Sequence, residues 1–401
     1  MSEAFISRRR GGSYITIKFK DFGLPIKKED QELSVARTSL AATAVGDYAL
    51  FGGGSTDSDR SSVIDAYNSN LTHSTPTGLS TARTLLAATS VGNYALFGGG
   101  LVPSYSQVVD AYTKSLSRST PTGLSVARND LAATNVGNYA LFGGGFFMSG
   151  GSKWSSTVDA YDTSLARSTP TTLSAARYKL TATKVGNYAI FGGGNTQNTN
   201  LTVSAVVDTY SNTLARMTPT ELSKARDELA ATFIGDYALF GGGRETSDRS
   251  SVVDAYNSNL TRSTPTALSV ARSELAATTA GNYALFGGGG NSETVGITVD
   301  AYDRTLTRSY PAGLTSPRKD LVAAAVSNYA IFAGGQNPSS YAYSAAAEVY
   351  KVNDISEVTV FKGSKYKFQN MSEEVEVTSD IGTITIPAPA TGYVKFKNAT
   401  L

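Results

Sequence analysis

The sequence predicts an all-β fold: a seven-bladed β-propeller with a small accessory β module built from the two chain ends. Three observations predict it. Within residues 33–352 one motif is written seven times, marked by Arg37, Arg83, Arg128, Arg177, Arg226, Arg272 and Arg318, 45 to 49 residues apart. A glycine run follows each arginine, ending at Gly54 in the first copy and beginning at Gly98, Gly143, Gly192, Gly241 and Gly287 in the next five. In the last copy it decays to Ala333, Gly334 and Gly335. An element reading VIDAY at 63–67 returns around Asp110, Asp159, Asp208, Asp254 and Asp300 and ends as EVY at 348–350. A period this long, built of short apolar runs with turn residues between them, belongs to propellers and solenoids. The expected organisation is an N-terminal anchor segment at 1–32, the propeller at 33–352 and a C-terminal β module at 353–401.

Each copy reads as four strands. Residues 40–45 are small and apolar, and Gly46 and Asp47 supply a hairpin turn. Residues 48–51 are continuously apolar, as in a strand covered on both faces, and the glycines end it. Residues 63–67 form a third strand, followed by a tight turn at 68–70. The more polar 71–75 fits an outer edge strand stopped by Pro76. Four antiparallel strands in about 46 residues make one blade. Radial repeats also explain how 401 residues escape the size limit of a single core, since each unit packs only on its neighbours.

An arginine, a short strand, NYALFGG and then a valine-to-tyrosine strand resemble the kelch repeat, over about four fifths of the chain and in every copy. The resemblance implies a closed propeller. Kelch repeats usually carry a tryptophan in the fourth strand, where this chain has Leu71, Leu116, Leu165, Leu214, Leu260 and Leu306. Leucine fills such an inter-blade site with less area. Seven complete copies imply blades of contiguous sequence, the alternative being a chain-end strand that completes one blade. The arginines and aspartates, retained in every copy, read as buried blade contacts made seven times over. A single active site would mark one blade.

The copies differ in two sets of positions. The segment after the glycine run occupies 55–62, 101–107, 146–157, 195–205, 244–251, 290–298 and 336–346. The pair after each arginine runs from Thr38 and Ser39 through Asn129 and Asp130, Tyr178 and Lys179, to Lys319 and Asp320. In a four-stranded blade both sets emerge on one side, while the turns of the other side keep nearly one sequence. One varied face on a uniform scaffold reads as a recognition face. The insert FFMSGGSKW at 146–154 holds the only tryptophan. Phe146, Phe147, Trp154, Tyr105, Tyr178, Tyr341 and Tyr343 are the expected ligand-binding residues, because loop aromatics mark contact surfaces. Flanked by Asn, Ser and Asp, they suit sugar rings and their hydroxyls. The competing reading is an insert that folds over the channel mouth or packs on another subunit.

No catalytic residue, metal site or cofactor is expected. Without cysteine there is no disulfide, thiolate ligand or thiol nucleophile. The sole histidine, His73, stands where other copies carry arginine. Asp57, Asp59 and Asp248 could bind calcium in loops, though a spacing of two carboxylates is a weak signal, and paired loop carboxylates leave glycosidase chemistry as the enzymatic alternative. A net charge of +2 gives no reason to expect nucleic acid; Arg8, Arg9 and Arg10 read as a solvated or interface patch. Residues 1–14 lack the apolar core of a secretory signal, and no run is long enough to span a bilayer.

At the ends, Tyr14–Phe19 alternates as a half-buried strand, with further short strands expected at 358–361, 366–368, 375–377, 384–386 and 393–396. The two tails should meet in one β module for attachment or homo-oligomerisation. Residues 2–12, SEAFISRRRGG, resemble the start of small structural proteins of tailed phages and prophages of Gram-positive bacteria. That resemblance implies a virion or other extracellular particle, made in the bacterial cytoplasm, whose propeller reaches outward. The expected function is a non-enzymatic receptor-binding or adhesin component of phage-tail or tailocin type, recognising a cell-surface glycan or protein. The alternatives are a structural particle protein whose loops contact neighbouring subunits, and an intracellular kelch scaffold.

Overall fold

A computed structural model describes residues 24–148, 150–196, 202–290 and 292–352, together with the backbone strands Ala4–Arg8, Tyr14–Phe19, Glu374–Ser379, Gly382–Pro387 and Tyr393–Lys397. Seven antiparallel blades form a propeller. In the first, Ala41–Val45 pairs with Tyr48–Gly52, which pairs with Ile64–Asn68, which pairs with the outer strand His73–Ser74. Its second strand buries Ala49, Leu50 and Phe51 completely, as a strand between two packed faces must. The register repeats in the next five blades. The only α-helix among the described residues is Glu293–Gly296, and no helix is long and apolar enough to cross a membrane.

The seventh blade departs from the contiguous plan. Its outer strand is Ile26–Lys27, paired antiparallel with Ala346–Lys351, and Gln31–Glu32 pairs with the same strand. The N-terminal segment expected at 1–32 therefore gives its last residues to the propeller. Two-residue pairing far from its partner in sequence leaves no periodic signal, which is why the strand is invisible before the fold is known. Of the other chain-end strands, Ala4–Arg8, Tyr14–Phe19 and Tyr393–Lys397 form one sheet in that order, and Glu374–Ser379 pairs with Gly382–Pro387 in another. The strands expected at 358–361 and 366–368 lie outside the described residues.

Adjacent blades share their cores. Leu50, Ile64 and Ala66 of the first blade pack with Phe97 and Tyr112 of the second. Phe97 and Tyr112 meet edge to face at 5.9 Å, and the same pair recurs in every blade, each worth about 0.5–1.5 kcal/mol beyond its buried area. The tyrosine hydroxyl donates to the link entering its blade, as Tyr112 Oη does to Thr77 O at 2.9 Å. Tyr67 donates to Glu32 O, so the same device ties the first blade to the closing segment. The outer-turn leucines sit at left-handed φ, +61° to +65°, and each packs on the preceding blade. That inter-blade burial offsets a backbone cost of about 1–2 kcal/mol.

The marker residues are structural. All seven arginines are buried, and each pairs with the third-strand carboxylate: Arg83 with Asp110 at 2.7 Å, Arg177 with Asp208 at 2.8 Å, Arg318 with Glu348 at 2.8 Å. The arginine carbonyl accepts from the last glycine of the preceding blade, as Arg83 O does from Gly54 N at 2.9 Å. Glycine is required beside it. Gly53 lies at φ +70°, and a Cβ there would stand 2.6 Å from the Arg83 oxygen.

Candidate functional site

In six copies the residue after the arginine pairs with the residue after that copy's own glycine run, among them Thr38 with Ser55, Thr84 with Leu101, Asn129 with Phe146 and Tyr178 with Asn195. Backbone pairing thus brings both varied sets to one face. In the third blade the insert is a β-hairpin, Phe146–Met148 against Ser152–Trp154, in which Phe146 faces Trp154. Phe146 is the centre of an aromatic cluster. Its ring lies 5.8 Å from Tyr105 of the second blade, 6.3 Å from Trp154, and 5.6 Å from Tyr178 at the entry to the fourth. Three consecutive blades therefore contribute to one patch.

Not every expected aromatic joins it. Phe147 pairs with Lys153 and points to the other side of the hairpin, because neighbouring strand residues face opposite ways. Tyr341 and Tyr343 belong to the seventh blade and make no ring contact with the cluster. Tyr341 is 63% exposed, with Lys319 Nζ 5.8 Å from its ring. Met148, at the hairpin tip, is 61% exposed. Two buried polar atoms have no hydrogen-bond partner among the described residues: Trp154 Nε1 within the cluster, and Asn129 Oδ1 on the residue whose backbone pairs with Phe146.

Inside this patch lies the channel mouth, a cavity of about 350 Å³ whose lining includes none of the hairpin's described residues. The second residue after each arginine forms the rim: Ser39, Leu85, Asp130, Lys179, Glu228, Glu274 and Asp320, all at φ between +49° and +59°. Each rim N–H donates to the rim carbonyl of the preceding blade, Leu85 N to Ser39 O at 3.0 Å and onward to Ser39 N and Asp320 O at 3.2 Å. The seven bonds close on themselves. This backbone ring requires the left-handed conformation but no particular side chain, so the side chains are free to differ.

Most rim charge is paired. Glu228 meets Lys179 at 2.5 Å and Arg244 at 3.4 Å, Arg244 also meets Asp227 at 2.9 Å, and Lys319 meets Glu274 at 3.2 Å. Gln336 Nε2 donates to Asp320 at 2.9 Å. Asp130 makes no side-chain hydrogen bond to a described residue. Burial pushes its carboxyl up to about 6, against the pull of Lys179 and with a push from Glu228. Burial likewise raises Glu274 and Asp320.

Below the rim the channel is uniform and then varied again. Leucines from Leu40 to Leu321 form one ring, and alanines from Ala42 to Ala323 the next. Two residues further along the inner strands stand Ala44, Ser90, Asn135, Lys184, Phe233, Thr279 and Ala325. Variation is thus not confined to one face, which corrects the expectation drawn from the turns alone. These positions sit within strands and face the channel, where a reading of loops does not look.

His73 takes the outer-strand place that an arginine holds in the next five blades, as its position in the repeat implies. Its Nε2 lies 2.7 Å from Asp65 Oδ1, where Arg167 meets Asp159 at 3.0 Å and Lys27 meets Glu348. Among the described residues no three His, Asp or Glu side chains are grouped to hold a metal ion.

No family model matches the chain, and no curated protein sequence does. The solved structure of YjhT is similar in fold, with a TM-score of 0.53 and 10% identity over 88% of this chain and 98% of that one. That likeness is to a propeller.

Proposed function

We propose that this chain is a non-enzymatic binding protein that recognises a cell-surface glycan or protein through the varied face of a kelch-type propeller. The observation that carries the reading is the convergence of Tyr105, Phe146, Trp154 and Tyr178 from three blades on that face. Aromatic rings gathered at a surface supply the stacking energy of a recognition site. Tyr341, Tyr343 and Phe147 form outlying contacts for a larger receptor.

The setting we propose is a phage-tail or tailocin-type particle outside the cell, with the chain-end sheet of Ala4–Arg8, Tyr14–Phe19 and Tyr393–Lys397 as the attachment or self-association element. The opening SEAFISRRRGG supports it. Glycan-array and whole-cell binding by the purified chain test the recognition. Saturable binding to a surface glycan or protein supports the reading, and binding to neither overturns it. Detection of the chain in purified particles tests the setting separately.

A further inference from the structure

At the end of the channel opposite the aromatic patch is a second cavity, about 360 Å³, lined by alanines, threonines and the second varied ring. Its chemistry is unlike that of the first mouth. Among the described residues, Lys184 is the only charged one lining it. The ammonium group makes no ion pair with a described residue: Nζ donates to Asn135 Oδ1 at 3.0 Å and stands 5.1 Å from the centre of the Phe233 ring. Asn135 Nδ2 in turn donates to Ser90 Oγ at 3.4 Å, and Thr279 Oγ1, beyond Phe233, contacts Thr232 Oγ1 at 2.8 Å. Ser90, Asn135, Lys184, Phe233 and Thr279 thus form an arc across five consecutive blades. The other two blades place Ala44 and Ala325 there and leave the space open.

Two features separate this arc from scaffold. First, the repeats are copied so closely that the leucine and alanine rings above it are invariant, yet no two adjacent blades of the arc agree. Second, a phenyl group 38% exposed and an ammonium without a counter-charge are both costly in a channel that the other blades line with small neutral residues. Scaffold contacts in this chain are repeated in every blade, whereas Lys184 and Phe233 each occur once in their ring.

The geometry points to an anion-binding site at this end of the channel, in which Lys184 holds a carboxylate or phosphoryl group of a compact small molecule. Phe233 packs on the ligand's apolar edge, and Ser90, Asn135 and Thr279 supply polar contacts. Burial lowers the Lys184 ammonium from its ordinary range, and an arriving anion reverses that shift. The site is independent of the aromatic patch, so the failure of either leaves the other standing.

The experiment is titration of the full chain with benzoate, inorganic phosphate and the uncharged control benzamide, by calorimetry. One anion per chain is expected to bind saturably, with benzamide at least tenfold weaker than benzoate. Preference for benzoate identifies a carboxylate ligand with an apolar face, and preference for phosphate a phosphoryl ligand. Lys184→Met should weaken the binding at least tenfold, Lys184→Arg should retain it, and Phe233→Ala should weaken benzoate more than phosphate. In the wild-type chain the bound anion should also protect Lys184 from acylation, read by mass spectrometry, which needs no variant to fold. Binding by neither anion, equal binding of benzamide, unchanged binding in a folded Lys184→Met chain, or acylation of Lys184 indifferent to the anion would overturn the proposal.

Discussion

Lys27 sets its ammonium against the buried carboxylate of Glu348, across nearly the whole length of the chain. In the second to sixth blades the corresponding cation is an arginine of the blade's own outer strand, and in the first His73 stands in that place. The seventh blade borrows its cation along with its strand. Lys28 N donates to Val349 O at 2.8 Å and Leu33 N to Ala345 O at 2.7 Å, so 26–33 is stitched to the last blade.

Removing residues 1–24 should therefore leave the propeller's melting transition in place, while removing 1–32 should lower it by several degrees. The longer deletion strips the seventh blade of its outer strand and takes one of two cations from Glu348, which keeps Arg318. Differential scanning calorimetry on the two truncations decides it. Particle or oligomer incorporation of the shorter truncation tests the attachment role of the chain-end sheet, which should be lost with residues 1–24.

The buried arginine–carboxylate pairs make a second prediction. Asp208 accepts from Arg177 at 2.8 Å, from Arg216 at 3.2 Å and from Ser174 N at 3.0 Å. Asp208→Asn leaves the Arg177 guanidinium buried without its counter-charge, so urea denaturation should show a loss of about 3–5 kcal/mol. Replacing both partners with apolar residues, Arg177→Met with Asp208→Leu, should recover much of it. Equal losses in the single and double variants would show that shape, not charge pairing, is what the position supplies.

Asp130 predicts a dependence on pH. Its folded carboxyl titrates at about 6, above the ordinary 3.8, so between these values the folded chain holds the proton that the unfolded chain has released. This contribution to stability is complete below about pH 4 and is lost as pH rises through 6. Asp130→Asn should therefore raise the melting temperature relative to wild type at pH 7.5 and do so much less at pH 4. An equal effect at both values would mean that burial does not burden this carboxylate.

How much of this was legible beforehand follows from physical range. The arginines, glycines and third-strand carboxylates repeat because one buried contact is made in each blade, and repetition is visible in sequence. The Ile26–Lys27 strand is two residues long and pairs with Ala346–Lys351, so neither period nor propensity marks it. The aromatic cluster was half visible. Tyr105, Phe146, Trp154 and Tyr178 lie in varied segments, but their meeting at Phe146 depends on blade geometry, as does the separation of Tyr341 and Tyr343. Lys184 and Phe233 were missed because they vary inside a strand. Comparing the copies at the residue before the last of each inner strand, Ala44 against Lys184 against Phe233, would have found them.

The central claim is that the aromatic patch on the varied face binds the receptor, and the most direct measurement is binding of the Trp154→Ala chain to its cell-surface ligand alongside its melting temperature. Truncating a stacking aromatic at a recognition site costs about 1–3 kcal/mol, a fall in affinity of roughly tenfold or more at 1.4 kcal/mol per decade. The account predicts that fall with the propeller's melting transition little changed, since the hairpin stands outside the blade cores. Unchanged binding with a large drop in melting temperature would contradict it and make the hairpin a structural element of the third blade.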